Sequence, residues 1–585
     1  MSKLSVDQKT IKEIFQGNKA DYLIPDYQRP YAWEKTECQT LWDDIFSFAF
    51  PDNDYSKFNK DEEYYLGSIV TFDNGRGKKE VIDGQQRLTT FLLILRAFYG
   101  KFEHMRDENS RRIREDIEKC IWKYDELGNP DKTALKIDSE VATDNDKEEF
   151  LEILRSGTVQ KEKRSNYAEN YRFFLQKIDE FLQSFPSYFP FLPARILDKC
   201  ILLLIEAVSQ DTALRIFSTL NDRGKPLSDA DIFKAQFYKH YSKTGRKEYF
   251  IKHWKELEEL CMKIFQPPTG TPMDELFTRY MYFTRAKQGI KSSTTEALRK
   301  FYEKDEYAIL YKDETFDNLR SLAEFWKDVS SQNEDRFSDR VLRRLFVLNY
   351  APNGMWTYFV SVYFLQNKNS ENLLDDDAFF AFLCKITGFI WAYAITNPGV
   401  NMLRTPVYAE MLNIVEGRPV TFEDFKFDAV SLKQQLTDFR FVNIRPITKS
   451  MVMWYAFQDE KQPLLSLETI FEIEHIYPRG RQEKEKTLND EKNLESLGNK
   501  APLEKRINIR AADYRFEDKK KYYHGFATAK GKLKEGTKII ELTRMTRTLA
   551  DFTESDIIDR SDKILQAFIA FLTQNGLTLP PQKTS

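Results

Sequence analysis

The stretch "FEIEHIYPRG", residues 471 to 480, joins a glutamate to one of only five histidines in 585 residues. A neutral imidazole accepts a proton near neutral pH, and carboxylate oxygens are the ligands that hard divalent cations favour. Downstream, "LGNKAPLEKRIN" places Asn499 and Asn508 at 24 and 33 residues beyond His475. Amide oxygens can complete the shell of Mg²⁺ or Mn²⁺, and amides also hold a ring or a loop by hydrogen bonds. These types suit hydrolysis of a phosphodiester. His475 would deprotonate water, Asn499 would bond the imidazole and the backbone and so fix the ring's orientation, and Glu474 and Asn508 would supply oxygens to the metal. A Glu-His pair at a strand end is more often an ordinary surface feature, so the motif alone leaves both readings open.

A second stretch, "VIDGQQRLTT" at 81 to 90, ends an apolar run in Asp-Gly and begins a helix at once. That junction offers backbone N–H groups and the positive helix end beside a glycine, a geometry that favours phosphate. Arg87 could add a forked contact and Gln85 and Gln86 neutral ones. A plain Asp-Gly turn with an exposed helix start fits the same residues. No GxxxxGK[ST] pattern occurs, so a nucleotide site here would be of another kind.

The elements that must carry these residues follow from periodicity. "YYLGSIVTF" (64 to 72) and "KEVIDG" (79 to 84) read as strands, and residues 85 to 102 have helical spacing, which makes the N-terminal part α/β. Residues 124 to 146 are loop-rich, and "ILDKCILLLIEAV" (196 to 208) is a short apolar element. In "LSDADIFKAQFY", Ser228 is an apt helix cap with Asp231 three residues on. From about 245 to 455 the pattern is all-helical. The expected class is α+β, mostly helical.

With 41% hydrophobic and 14% aromatic residues, the chain has ample side-chain area for cores, and its length calls for two to four domains. Five scattered cysteines form no paired framework, which points to a reducing cytoplasm. No uninterrupted apolar run reaches the ~18 residues of a membrane span, so no membrane association is expected. Net charge is −3, yet residues 479 to 550 hold 19 Lys and Arg against 11 Asp and Glu. A basic module on an acidic body is one way to produce that asymmetry.

Four segments in order, "IPDYQRPYAWEKTECQTLWDDI", "YYLGSIV", "VIDGQQRLTT" and "FSTLNDRGKPLSDADIFK", resemble the N-terminal domain of GmrSD-type, modification-dependent (type IV) restriction enzymes. The resemblance spans roughly residues 10 to 240 and implies a fold related to the nucleotide-binding part of ParB and to sulfiredoxin. It implies a nucleoside triphosphate site, for GTP or ATP, built from Gln28, Arg29, Asp83, Gly84, Gln85, Gln86, Arg87, Asn221 and Arg223. Tyr27, Tyr31 and Trp33 read as packing residues, although one could stack on a base.

Residues from about 455 onward resemble the HNH (ββα-metal) nuclease domain of the same enzymes, through Glu-His-Ile-x-Pro, Gly-Asn and a later Asn. The pattern departs after Gly-Asn at Lys500, Ala501 and Pro502, and a proline there marks a short or edge strand. His524, beside Tyr522 and Tyr523, reads as partly packed. The implied plan is a ParB-like domain at 1–240, a helical middle at 241–455 and a nuclease at 456–585. It would act on phage DNA with modified bases, with possible homo-oligomerisation. Rival readings are a nucleotide-switched regulatory protein with an inert finger and an RNA-cleaving toxin.

Overall fold

The computed structural model describes residues 4–17, 20–75, 77–141, 144–210, 212–213, 216, 228–399, 401–529 and 531–580. Asn221 and Arg223 lie outside the described residues. The chain forms two compact units, Met1–Glu259 with Ile309–Tyr311, and Leu260–Ala308 with Lys312–Ser585. The expected divisions at 240 and 455 differ from this boundary. The helix Pro446–Ala456 packs against the second strand of the C-terminal ribbon described below, so the helical stretch and the C-terminal segment share one unit.

The strands of the first unit are β1 (Ser5–Thr10), β2 (Tyr22–Ile24), β3 (Tyr64–Asp73), β4 (Lys79–Asp83), β5 (Trp122–Tyr124), β6 (Pro130–Leu135), β7 (Ile137–Ser139) and β8 (Cys200–Ala207). Six of them make one mixed sheet in the order β1-β8-β3-β4-β2-β7, and β5 and β6 pair separately. The apolar run at 196 to 208 contributes β8, which lies between antiparallel β1 and parallel β3. A strand covered on both faces needs such a continuous run. β4 is interior too, between β3 and β2, so the Asp83-Gly84 turn leaves from within the sheet. The helix Gln85–Phe102 that follows is buried nearly all round, as a helix without a polar face must be. Ser228 and Asp231 form the reciprocal capping box at the start of Asp229–Lys243.

The second unit is mostly helical and carries two ribbons, β9 (Phe471–His475) with β10 (Lys500–Glu504), and β11 (Gly525–Ala527) with β12 (Leu533–Glu535). Its helix Asp376–Thr396 is long and apolar enough to cross a membrane, with a mean hydropathy of 1.7, but 72% of that window is buried inside the protein. It serves as a core helix.

Candidate functional site

β9 and β10 pair antiparallel with Lys500 opposite His475 and Pro502 opposite Ile473, and the helix Lys505–Ala511 follows β10 directly. The order is strand, strand, helix. Pro502 is tolerated because a two-stranded ribbon leaves each strand with a free edge.

Alternation along β9 sends Glu472 and Glu474 to one face and His475 to the other. On the His475 face, Nε2 lies 3.3 Å from Glu495 Oε1 and 3.3 Å from Arg479 Nε, and it contacts Lys500 Nζ. Lys500 is fully buried, donating to Glu495 Oε2 at 2.7 Å and to Asn443 Oδ1 at 2.9 Å. Burial pushes the His475 pKa below its ordinary value; the Lys500 and Arg479 charges add to this and Glu495 opposes it. The ring is therefore neutral at neutral pH. Burial also lowers Lys500 to about 8 against the pull of Glu495. Glu495 itself is held well below the carboxylate range: burial would raise it, but bonds from His475, Lys500 and Arg479 outweigh that.

On the opposite face Glu474 is 3% exposed, and its Oε1 takes Lys519 Nζ at 2.7 Å and the Tyr523 hydroxyl at 2.6 Å. Burial raises its pKa, and the Lys519 charge counters this. Among the described residues nothing donates to Oε2. Asn508 Nδ2 donates to Glu472 Oε2 at 2.8 Å, which fixes the amide with its oxygen uncommitted among the described residues. Glu474 and Asn508 thus keep different partners, yet each presents an oxygen. Those are the donors a hard cation takes, so the set fits Mg²⁺ or Mn²⁺ in kind. No group of three or more His, Cys, Asp or Glu that could hold a metal occurs among the described residues. A cation here would complete its shell with water, as Mg²⁺ commonly does.

Asn499 is fully buried and does not bond the imidazole. Its Oδ1 accepts from Tyr477 N at 2.6 Å, and Nδ2 donates to the carbonyls of Tyr477 at 3.1 Å and Leu494 at 3.0 Å. It locks the turn after His475 and so holds the ring through the backbone. Gly498 before it rests on the C-terminal helix Glu554–Gln574, where Ser561 Oγ accepts its N–H at 2.8 Å. Arg560 of that helix donates to the carbonyls of Gly498 at 2.8 Å and Lys500 at 2.7 Å. A β-carbon on Gly498 would collide with the Ile557 carbonyl and lie 2.7 Å from Ser561 N. Gly498→Ala should therefore destabilise the second unit by about 1–3 kcal/mol, read as a lowered Tm. An unchanged Tm would contradict this packing.

In the first unit, Gly84 adopts φ 86° and no side chain caps the helix after it. A β-carbon there would lie 2.9 Å from Ile69 and 3.1 Å from the Ser68 carbonyl, so only glycine fits the turn. Asp83 is buried beside Arg87 and Arg29; burial raises its pKa and the two guanidinium groups oppose the rise. The glutamines bond the protein itself. Gln86 Oε1 accepts from Ala32 N at 2.7 Å and Trp33 N at 3.3 Å, Gln85 Nε2 donates to the Arg29 carbonyl at 3.2 Å, and Gln28 Nε2 donates to the Ile82 carbonyl at 2.9 Å. Arg87 Nη1 donates to the Ser68 carbonyl at 2.5 Å, and Arg29 Nη1 lies 4.0 Å from Asp231. "DYQRPYAW" is thereby tied to the helix start, with Arg29 on the tied loop. Tyr27, Tyr31 and Trp33 are buried, the first two against Tyr238 and Tyr167.

Glu495, Lys500, Arg479, Lys519, Tyr523 and Glu472 belong to the ribbon site without having been assigned roles from sequence. Lys500 alone carried a signal, as a charged residue at the point where the motif departs from its pattern. His524 is exposed and bonds Thr546 Oγ1 at 2.6 Å.

Two family models match the chain. The GmrSD restriction endonuclease N-terminal domain matches residues 11–238, and the GmrSD restriction endonucleases C-terminal domain matches residues 428–567. No curated protein matches it.

Proposed function

Since the chain belongs to the GmrSD restriction endonuclease family, and so is a DNA endonuclease of restriction and defence, we propose that the β9–β10 ribbon is its cleaving centre, working as a metal-dependent HNH nuclease. The observation that carries this is a half-buried, neutral imidazole at the strand tip, with a buried carboxylate on the opposite face. The scissile phosphate lies across that tip. All three side-chain partners of His475 meet Nε2; with the ring proton on Nε2 and donated to Glu495 Oε1, Nδ1 keeps the lone pair for the attacking water. A water proton passes to Nδ1, the water oxygen bonds to phosphorus, and one bridging P–O bond breaks. Glu495 steadies the imidazolium that forms, and Asn499 keeps the turn from moving the ring. Glu474 and Asn508 would hold the divalent cation, which when bound supplies positive charge to the phosphate oxygens.

We further propose that the Asp83–Arg87 junction with Arg29 binds the phosphates of GTP or ATP and that this binding controls cleavage. The support is the uncapped helix start beside Gly84 and the arginine-bearing loop tied to it by three glutamines. Gln28, Gln85 and Gln86 build the site, while Arg29 and the backbone N–H groups meet the ligand. Arg29→Ala should weaken nucleotide binding about tenfold or more, the loss of one charge-assisted contact. Calorimetric titration with GTP and ATP reads it. Undiminished binding would return "DGQQR" to a structural turn.

The substrate is foreign DNA with modified bases. Digestion of unmodified and base-modified phage DNA, with and without GTP or ATP, tests this. Modified DNA should be cut in preference and in a nucleotide-dependent way; equal cutting of both would refute the preference.

A further inference from the structure

Between the two family-matched regions, the helical part of the second unit forms an open cavity of about 440 Å³. Sites for small molecules run from roughly 300 to 1,000 Å³. Arg279 lines it from the helix Pro272–Lys287 and is 7% exposed. Its guanidinium stacks on Phe265 at 4.5 Å and on Trp326 at 4.2 Å, which fixes its plane. Nε donates to Glu275 Oε1 at 2.9 Å, but Nη1 has no hydrogen-bond partner among the described residues. A buried guanidinium nitrogen without an acceptor is costly, so it marks a place for a ligand oxygen.

The remaining lining defines that ligand. Glu275, the one acidic residue there, is committed to Arg279 and, at 3.4 Å, to the Tyr358 hydroxyl. Arg404 adds a second cation. Two arginines against one engaged carboxylate select an anion, and the guanidinium fork matches phosphate. Tyr282 and Tyr358, stacked at 4.7 Å, bring aromatic surface, and the Asn353 and Asn401 amides bring polar groups that read the edge of a ring. The space also exceeds what an inorganic anion needs.

We propose that this cavity binds a nucleoside phosphate, its phosphate on Arg279 and Arg404 and its base against the tyrosine pair. Such a ligand comes either free, as a mononucleotide, or as a nucleotide swung out of a DNA strand, the form in which proteins inspect single bases. The second source rests on the DNA-cutting function above; the first does not.

The test uses the full-length protein in a chelating buffer, so that binding is read without cleavage. Probes are dCMP, GMP, inorganic phosphate, and matched and mismatched DNA duplexes, the mismatch making extrusion easier. Arg404→Ala, at a half-buried position, and Arg279→Lys, which keeps the charge but not the fork, are compared with the parent. A tenfold or larger loss for dCMP in both cavity variants supports a free ligand. The same loss confined to the mismatched duplex supports an extruded nucleotide. Thermal unfolding of each variant separates misfolding from lost contact, and Arg404→Ala decides the outcome if Arg279→Lys unfolds. Affinities within twofold of the parent for every probe overturn the proposal, as does inorganic phosphate binding as tightly as either mononucleotide.

Discussion

Replacing His475 with alanine is expected to slow DNA cleavage by ~10²- to 10⁴-fold, the loss that accompanies removal of a general base. The fold should survive, because the Lys500–Glu495 pair at 2.7 Å and the β9–β10 ladder do not depend on the imidazole. The parent enzyme adds a second signature. A base must be unprotonated to act, and the His475 pKa lies below 6.5, so activity should persist on acidification past that value and fall only as the pH drops through the lowered pKa. An alanine variant that cuts at the parental rate removes His475 from the chemistry.

Glu474→Gln should weaken the apparent affinity for Mg²⁺ or Mn²⁺ by at least the ~10- to 100-fold seen when support around a metal is lost, and should slow cleavage with it. The difficulty is that Glu474 also neutralises the buried Lys519 at 2.7 Å. Breaking one side of a buried pair costs about 3–5 kcal/mol, which could disable the ribbon without any metal being involved. Glu474→Gln with Lys519→Met removes the stranded charge and should recover much of the stability. Cleavage should stay lost in this double variant. Recovery of cleavage at the parental metal concentration would make Glu474 a structural ion-pair partner and nothing more.

Local signals were legible where a residue's neighbours in sequence are also its neighbours in space. The helix begins at Gln85, directly after Gly84, and the Ser228–Asp231 box is set by three-residue spacing, so both could be read directly. Pro502 likewise announced an edge strand. The companions of the site were not legible, because tertiary folding delivers them. Glu495 reaches His475 across 20 residues and Tyr523 reaches Glu474 across 49, with no periodicity to announce either. The glutamines of "DGQQR" were read as ligand groups because sequence does not show that a loop more than 50 residues earlier needs their amides. Asn499 was expected to bond both the imidazole and the backbone; its three side-chain bonds all go to the backbone of Tyr477 and Leu494. The grouping of helical and C-terminal segments into one unit depends on packing between residues far apart in sequence, such as the helix Pro446–Ala456 on β10.

The most direct measurement is digestion by the full-length protein of a linear DNA and an RNA of equal length, each with Mg²⁺, with Mn²⁺ and with a chelator, in the presence of GTP. A metal-dependent nuclease centred on the β9–β10 ribbon cuts the DNA with either metal, is silenced by the chelator, and spares the RNA. Intact DNA under every condition, RNA cut in its place, or DNA cleavage undiminished by the chelator would contradict it.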